Sequence, residues 1–117
     1  MSRHNERPGD AELLQGTLDM LILKISALRP IHGYAMVQRI QQISKDALRI
    51  RQGSLYPALY RLLKSGWITA SWERMPDRNR EAKYYRLTSA GKKRLMSEHS
   101  KWRQLAHAIG LVMKPIG

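Results

Sequence analysis

Residues 52–64 restrict the fold more than any other segment, because they combine one apolar helical face with basic and aromatic residues elsewhere. The apolar side chains recur at the spacing of a single helix face: Leu55, Leu59, Leu62 and Leu63. Pro57 lacks a backbone N–H and is best tolerated in a first helical turn, so we expect Ser54 to be the N-cap. Gly66 then ends the helix. An ordinary surface helix with solvated tyrosines has the same pattern, so this segment alone does not define a function.

Composition limits the partners of the chain. Its 117 residues include 21 Lys and Arg against 9 Asp and Glu, a formal net charge of +12, with a pI near 10.6. This charge favours a polyanion, either nucleic acid or an acidic membrane surface. Cysteine is absent, which excludes disulfides, thiolate metal sites and cysteine nucleophiles. The apolar run 20–23 is far too short for a signal peptide or a membrane span, so we expect a cytoplasmic protein.

The first third of the chain predicts a tail followed by a strongly apolar helix. Residues 1–10 are polar and aperiodic, and we expect them to form a flexible tail. From 13 to 28, apolar residues step by four and three positions: Leu14, Leu18, Leu21, Ile25 and Leu28. Such a helix buries more than one face, which leaves Leu13, Met20 and Leu23 as candidates for contact with another subunit. The alternative is a helix buried wholly within its own domain.

The periodicity then changes several times. A second helix is expected from about 32 to 44, with an inner face of Met36, Val37, Ile40 and Ile43. Residues 48–50 alternate and predict one short strand. Segments 67–72 and 83–87 have strand composition, and the basic segment 74–81 between them predicts the tip of a hairpin.

A long helix closes the chain. Thr88 is expected to cap a helix from Ser89 to about Met113, with a stripe formed by Leu95, His99, Trp102, Ala106, Ile109 and Met113. The predicted order is therefore helix, helix, short strand, helix, hairpin, long helix. Three helices followed by a two-stranded ribbon are typical of a winged helix-turn-helix, in which the third helix enters the major groove of DNA. We expect a mainly α fold with a small β-hairpin.

Four short motifs mark the predicted elements: LQGTLD at 14–19, HGY at 32–34, GSLYPAL at 53–59 and KYYRLT at 83–88. In this order they resemble the PadR family of bacterial transcriptional regulators, over about residues 13–113. The single C-terminal helix is similar to that of the shorter branch of the family, in which the last and first helices form the dimer.

The resemblance implies a domain organisation and a mode of action. A tail at 1–10 would precede a winged helix-turn-helix DNA-binding domain at 11–88, followed by a C-terminal dimerisation helix and tail at 89–117. The implied function is that of a homodimeric repressor acting on double-stranded DNA at a pseudo-palindromic operator, released by a small aromatic effector.

Family roles carry over only at matching positions. Ser54, Tyr56 and Pro57 match the helix-opening motif that approaches the DNA backbone, and Lys83 matches the basic residue at the base of the wing. Trp102 matches a tryptophan that lines a flat pore at the dimer interface of a related multidrug-binding regulator.

Charge and aromaticity add further candidates for DNA contact. Arg61 is expected to contact either a phosphate or guanine O6 and N7, and Lys64 is either a contact or simply solvated. Tyr60, like Tyr56, either reaches DNA or packs under the wing. Arg78 and Arg80 are placed for the backbone or the minor groove, unless the wing tip is merely solvated.

A second candidate site lies on the last helix. Trp102 and His99 share the predicted stripe, where Trp102 either stacks on an aromatic effector or packs in a core. Glu98 is the last acidic residue of the chain, so any effector is expected to be neutral or anionic.

Other functional classes are less well supported. The histidines have no metal-ligand spacing with carboxylates, and no phosphate loop or nucleophile motif is present, so we predict no enzyme, no metal and no cofactor. A nonspecific architectural nucleic-acid-binding protein is the main alternative. A peripheral membrane protein is another, because the last helix carries several basic residues: Lys92, Lys93, Arg94, Lys101 and Arg103. Its apolar stripe suits another helix better than a lipid surface, so we predict no membrane partner.

Overall fold

The computed structural model describes residues 15–116. Its elements in chain order are α1 (Gln15–Leu28), β1 (Ile31–His32), α2 (Gly33–Ile43), α3 (Gln52–Lys64), β2 (Ile68–Arg74), β3 (Glu81–Leu87) and α4 (Ser89–Val112). The predicted tail at 1–10 and the predicted subunit contact at Leu13 lie outside the described residues. The fold is mainly helical with a small antiparallel sheet, which confirms the predicted fold class.

The sheet contains one strand that the sequence pattern did not indicate. Its strand order is β1-β3-β2, and both pairings are antiparallel. The strand predicted at 48–50 is wrong, because those residues have no regular structure. The short strand is instead Ile31–His32, which pairs with Tyr85 and Tyr84 of β3. Two residues directly after a proline are too few to show alternation, and their pairing depends on a strand more than 50 positions away.

Helix α1 is buried mostly within its own chain. Leu18, Ile22, Leu23 and Ile25 all belong to the core, and Met20 is also buried. The prediction that Leu23 faces another subunit is therefore wrong, and the intradomain alternative is correct for this residue, because Leu23 lies in the core. Met20 lies outside the core cluster and lines a groove between α1 and α4, so its contact with another subunit stays a prediction.

Helix α2 begins and ends close to the predicted positions. His32 is its N-cap, and the Nδ1 atom of His32 accepts a hydrogen bond from the backbone N–H of Ala35 at 3.3 Å. Met36 and Ile40 are buried as predicted, but Ile43 is exposed. The helix has its C-cap at Ser44, and the chain then turns through two residues with positive φ, Lys45 at 54° and Asp46 at 68°.

Helix α3 begins three residues earlier than expected. Its first residue is Gln52 and its N-cap is Arg51, so the prediction that Ser54 caps the helix is wrong. The backbone N–H groups of Ser54 and Leu55 both donate to the Arg51 carbonyl at 3.0 Å. Pro57 consequently lies in the second turn, where it leaves the Gly53 carbonyl without a helical donor. Gly53 is exposed, so water can satisfy that carbonyl.

The C-terminus of α3 and its apolar face match the sequence pattern. Gly66, at φ 77°, ends the helix, while Trp67 N–H donates to the Leu62 carbonyl at 3.1 Å. The core-facing side chains predicted for this helix are fully buried at Leu55, Leu59 and Leu62. The three N-terminal helices thus hold one apolar core against Ile68 and Tyr85 of the sheet.

Helix α4 leaves the domain as a projecting arm. Thr88 caps it as predicted, because the Thr88 hydroxyl accepts a hydrogen bond from Gly91 N–H at 3.0 Å. Its first turns pack on α1, but every described residue beyond Glu98 is exposed. The described chain is correspondingly elongated, with extents of 61 × 35 × 26 Å.

Candidate nucleic-acid interface

The outer surface of α3 carries the predicted contact residues. Ser54, Tyr56, Pro57 and Tyr60 are all exposed, and Lys64 is exposed at the C-terminal end of the same helix. The Lys64 ammonium lies 5.7 Å from the centre of the Tyr60 ring, so the two side chains form a cation–π pair. These residues occupy the solvent face, because the opposite face is occupied by the core leucines.

The N-terminus of α3 is suited to an anion. The side chain of its N-cap residue, Arg51, accepts no hydrogen bond from the first turn. The partial positive charge of the helix end therefore faces solvent beside Gly53 and Ser54, which are both exposed. A phosphate group approaching here would meet the positive end of the helix dipole.

The hairpin of β2 and β3 forms the wing, defined as residues 68–87. Arg78 and Arg80 are exposed at its tip, where Met75 N–H donates to the Arg80 carbonyl at 2.9 Å. Lys83 is exposed on β3 and lies directly opposite Trp72 of β2. The basic tip that the sequence predicts is therefore present.

A cleft of about 900 Å³ separates the wing from the helices, and we call it the wing cleft. Its lining brings together predicted residues from α3 and the wing, namely Tyr56, Arg78, Arg80 and Lys83. It also includes Tyr34, which the sequence pattern marked only as part of the HGY motif, and Trp72, and neither was predicted to contact DNA. In the sequence pattern, Trp72 was evidence only for a strand. Trp72 lies on the same face of β2 as Ile68 and Ala70, but at a position past the end of the core.

Tyr56 is held at this cleft by a glycine of the HGY motif. A β carbon at Gly33 would lie 3.1 Å from the Tyr56 hydroxyl oxygen and 3.2 Å from a ring carbon. Gly33 is buried and follows the N-cap His32, whose ring makes an edge contact with Tyr84 at 5.5 Å. The HGY and GSLYPAL motifs therefore meet in space, which explains why they occur together.

Arg61 is directed away from the exposed face of α3. Its guanidinium donates to Asp19 of α1 at 3.0 Å, with side-chain exposures of 38% for Arg61 and 15% for Asp19. Burial raises the pKa of Asp19 above its ordinary value, and the hydrogen bond and charge of Arg61 oppose this shift only in part. The structure thus separates Arg61 from the other predicted contact residues and joins the LQGTLD motif to α3.

The predicted effector residues lie on the inner side of α4. The rings of His99 and Trp102 stack with centroids 6.4 Å apart. Both line a largely apolar groove of about 600 Å³ between α1 and α4, together with Thr17, Met20, Leu21, Lys24, Leu48, Leu95 and Met96. Glu98 lies beside Trp102 in an adjoining hollow, but its carboxylate is paired with Arg94 at 2.9 Å and with Lys101 at 3.9 Å.

From Met96 onwards, α4 exposes many large apolar side chains. They are Met96, Trp102, Leu105, Ile109, Leu111, Val112 and Met113. Residues 15–116 contain no cluster of three His, Asp or Glu side chains arranged to hold a metal ion. Within the same residues, no helix has both the length and the apolar character needed to cross a bilayer.

Comparison with known proteins decides the family. Residues 22–97 match the family described as Transcriptional regulator PadR-like family, a segment that runs from α1 through the wing into α4. The chain belongs to the PadR-like family of transcriptional regulators. This confirms the resemblance drawn from the four motifs, and the family is a class of regulators rather than of enzymes. PadR regulators bind DNA, typically as dimers.

Individual relatives agree with this assignment. A transcriptional regulator of Mycobacterium tuberculosis is 30% identical over 84% of this chain and 87% of its own length. The structure of a transcriptional regulator from Clostridium thermocellum superposes with a TM-score of 0.77 at 25% identity, covering 86% of this chain and 96% of that one. A PadR family regulator from Eggerthella lenta has a TM-score of 0.70 at 28% identity, with coverages of 87% and 86%.

Proposed function

We propose that this PadR-like protein is a cytoplasmic, homodimeric repressor that binds a pseudo-palindromic operator through α3 and the wing. The observation that carries the proposal is the wing cleft, where tyrosines and cations from two separate elements line one concave surface. In a chain of net charge +12, such a surface suits the sugar–phosphate backbone. Residues 11–88 would form the DNA-binding domain and 89–117 the dimerisation helix and tail.

The proposed contacts fall into two groups. Ser54, Tyr56, Pro57, Tyr60 and Lys64 present the solvent face of α3 to the major groove, with the helix N-terminus against a phosphate. The wing supplies a second group for the flanking backbone and minor groove: Arg78, Arg80 and Lys83. Arg61 is assigned a positioning role through Asp19, and it reaches DNA only if that pair breaks.

The exposed apolar residues of α4 support a homodimer. An amphipathic arm that leaves Ile109 and Leu105 in water is stabilised when a second copy covers it. A two-fold pair of arms would hold the two α3 helices about one DNA turn apart, which is the spacing that half-sites require.

The sequence specificity of DNA binding distinguishes this proposal from an architectural protein. Genomic fragments that the purified protein selects should show footprints with dyad symmetry and bind far more tightly than random duplex DNA. Equal affinity for selected and random duplexes would support the nonspecific alternative. Binding to anionic vesicles at physiological salt would instead support a membrane role.

The salt dependence of binding tests the wing. Lys83→Ala should weaken binding and reduce the slope of log affinity against log salt by about 0.9 per protomer, or about 1.8 for the proposed dimer, because each protomer loses one phosphate contact. Lys24→Ala is the charge-matched control, since Lys24 is exposed on α1 and does not line the wing cleft. An equal change in both variants would contradict the proposed contact.

A small aromatic effector is the second part of the proposal. His99 and Trp102 offer stacked rings at a groove whose nearby carboxylate is already paired, which suits a neutral or anionic planar molecule. Binding would release DNA if it changed the separation of the two α3 helices. Planar aromatic compounds should quench tryptophan fluorescence in the wild type but not in Trp102→Leu, whereas equal quenching in both would argue for simple packing.

A further inference from the structure

Trp72 is an exposed large aromatic residue on the wing rather than on the dimerisation helix. Its relative exposure is 66%, whereas Trp67 is half-buried beneath the Arg94 guanidinium, 4.6 Å from the centre of its ring. An exposed tryptophan ring offers a large apolar surface that a partner can cover. None of the described residues of the chain provides that cover.

The sheet register shows where Trp72 projects. Ile68, Ala70 and Trp72 alternate along β2 and share the face that packs on the core. Ala70 is opposite the buried Tyr85, but Trp72 is opposite the exposed Lys83. The apolar core therefore ends two residues before Trp72, at the Ala70–Tyr85 pair, and the same face continues as the wall of the wing cleft.

The neighbours of Trp72 indicate the chemistry of its partner. The cleft that it lines also holds three cations, Lys83, Arg78 and Arg80, against one carboxylate, Asp77, and the net positive charge of these four side chains favours a polyanion. The Trp72 ring beside the Lys83 ammonium group would suit a polymer in which apolar and anionic groups alternate. The sugar–phosphate backbone of DNA has this character, since deoxyribose carbons alternate with phosphates.

We propose that Trp72 packs against a deoxyribose of the same DNA strand whose phosphate is held by Lys83. The inference rests on the proposed DNA-binding function and adds an apolar contact at the wing. Because it involves neither an ion pair nor a base edge, this contact raises affinity without adding to the salt slope and without reading sequence.

The test compares Trp72→Ala with the wild type on a selected genomic duplex and on a random duplex, each over a series of salt concentrations. We expect roughly a tenfold loss of affinity on both duplexes, since a large apolar contact is removed. The salt slope should stay unchanged, in contrast to the lower slope expected for Lys83→Ala. Thr69→Ala is the matched control, because Thr69 is exposed on the opposite face of β2.

Two further variants keep the test independent of folding. Trp72→Thr retains strand propensity and should show the same loss if its thermal unfolding matches the wild type. Trp72→Phe should retain most of the affinity while losing the change in tryptophan emission that DNA causes in the wild type.

Each alternative result has a defined meaning. Unchanged affinity in Trp72→Ala and Trp72→Thr would overturn the inference, as would a reduced salt slope, which would mean that Trp72 only orders Lys83. A larger loss on the selected duplex than on the random one would also overturn it, because Trp72 would then read bases. If the wild type binds no duplex at all, the proposed function itself fails.

Discussion

The backbone of Gly91 in α4 lies directly against the carbonyl oxygen of Trp67, so closely that a β carbon at Gly91 would be 1.9 Å from that oxygen. Thr88 strengthens the same junction, since its N–H donates to the Trp67 carbonyl at 3.1 Å and its hydroxyl donates to the Gly66 carbonyl at 2.7 Å. The direction in which α4 leaves the wing is therefore set at the first turn of the helix.

Gly91→Ala should destabilise the fold, because the added methyl group meets backbone rather than a movable side chain. Overpacking of this kind costs about 1–3 kcal/mol in the free energy of unfolding, measured by urea denaturation. Gly53→Ala is the matched control, since nothing lies within 4 Å of its β-carbon position in α3. There alanine should stabilise the protein by up to about 1 kcal/mol. A stability for Gly91→Ala equal to that of the wild type would contradict the close approach.

Gly33→Ala should displace the Tyr56 ring and weaken DNA binding with little loss of stability, because the crowded atoms are the far end of a side chain. The measurement is a double-mutant cycle on DNA affinity with Tyr56→Ala. Once Tyr56 is absent, the Gly33→Ala change should have almost no effect. Additive losses would mean that Gly33 acts independently of Tyr56.

Arg61→Ala should lower the free energy of unfolding by at most about 1 kcal/mol, since the Arg61–Asp19 pair is partly open to solvent. The salt slope of DNA binding should be unchanged if Arg61 positions α3. A slope lower by about 0.9 per protomer would instead identify Arg61 as a phosphate contact. Lys101→Ala removes a more exposed partner of Glu98 and serves as the control.

The contribution of Asp19 to stability should fall as pH rises. Its pKa in the folded protein lies above the ordinary value of 3.8, so the folded state binds this proton more tightly than the unfolded state. The stabilisation from protonation is complete below the unfolded pKa and is lost as pH passes through the folded pKa. Urea unfolding should therefore show that the free energy of unfolding of the wild type, relative to that of Asp19→Asn, falls as the pH is raised from below 3.8 towards neutrality. A difference that stays constant or grows would show that pairing with Arg61 outweighs burial.

If the proposed homodimer forms through α4, Ile109→Asp should convert it to a monomer and abolish high-affinity binding to the proposed operator, because a charge would replace an exposed apolar side chain of α4. Sedimentation at micromolar protein concentration would measure the change in mass. Ser97→Asp introduces the same charge at an exposed α4 position away from the apolar stripe and should remain dimeric. If Ile109→Asp and Ser97→Asp were both dimeric, the proposed role of α4 in dimerisation would be contradicted.

The sequence by itself was sufficient wherever the deciding interactions are local. The leucine spacing of α3 placed Leu55, Leu59 and Leu62 in the core, and the cap at Thr88 placed the start of α4. The change from helical to alternating periodicity located the wing. Neighbours within a few residues dictate each of these features, so they can be read directly from the chain.

Only the tertiary structure decided the features that depend on distant partners. Arg61 turns towards Asp19, which lies 42 positions away, and Ile31–His32 becomes a strand only because β3 pairs with it. Trp72 becomes part of the wing cleft because the core ends two residues earlier, at the Ala70–Tyr85 pair. Periodicity shows which face of a helix or strand is apolar, but the neighbouring elements determine whether that face is covered, paired or open, and this requires the assembled fold.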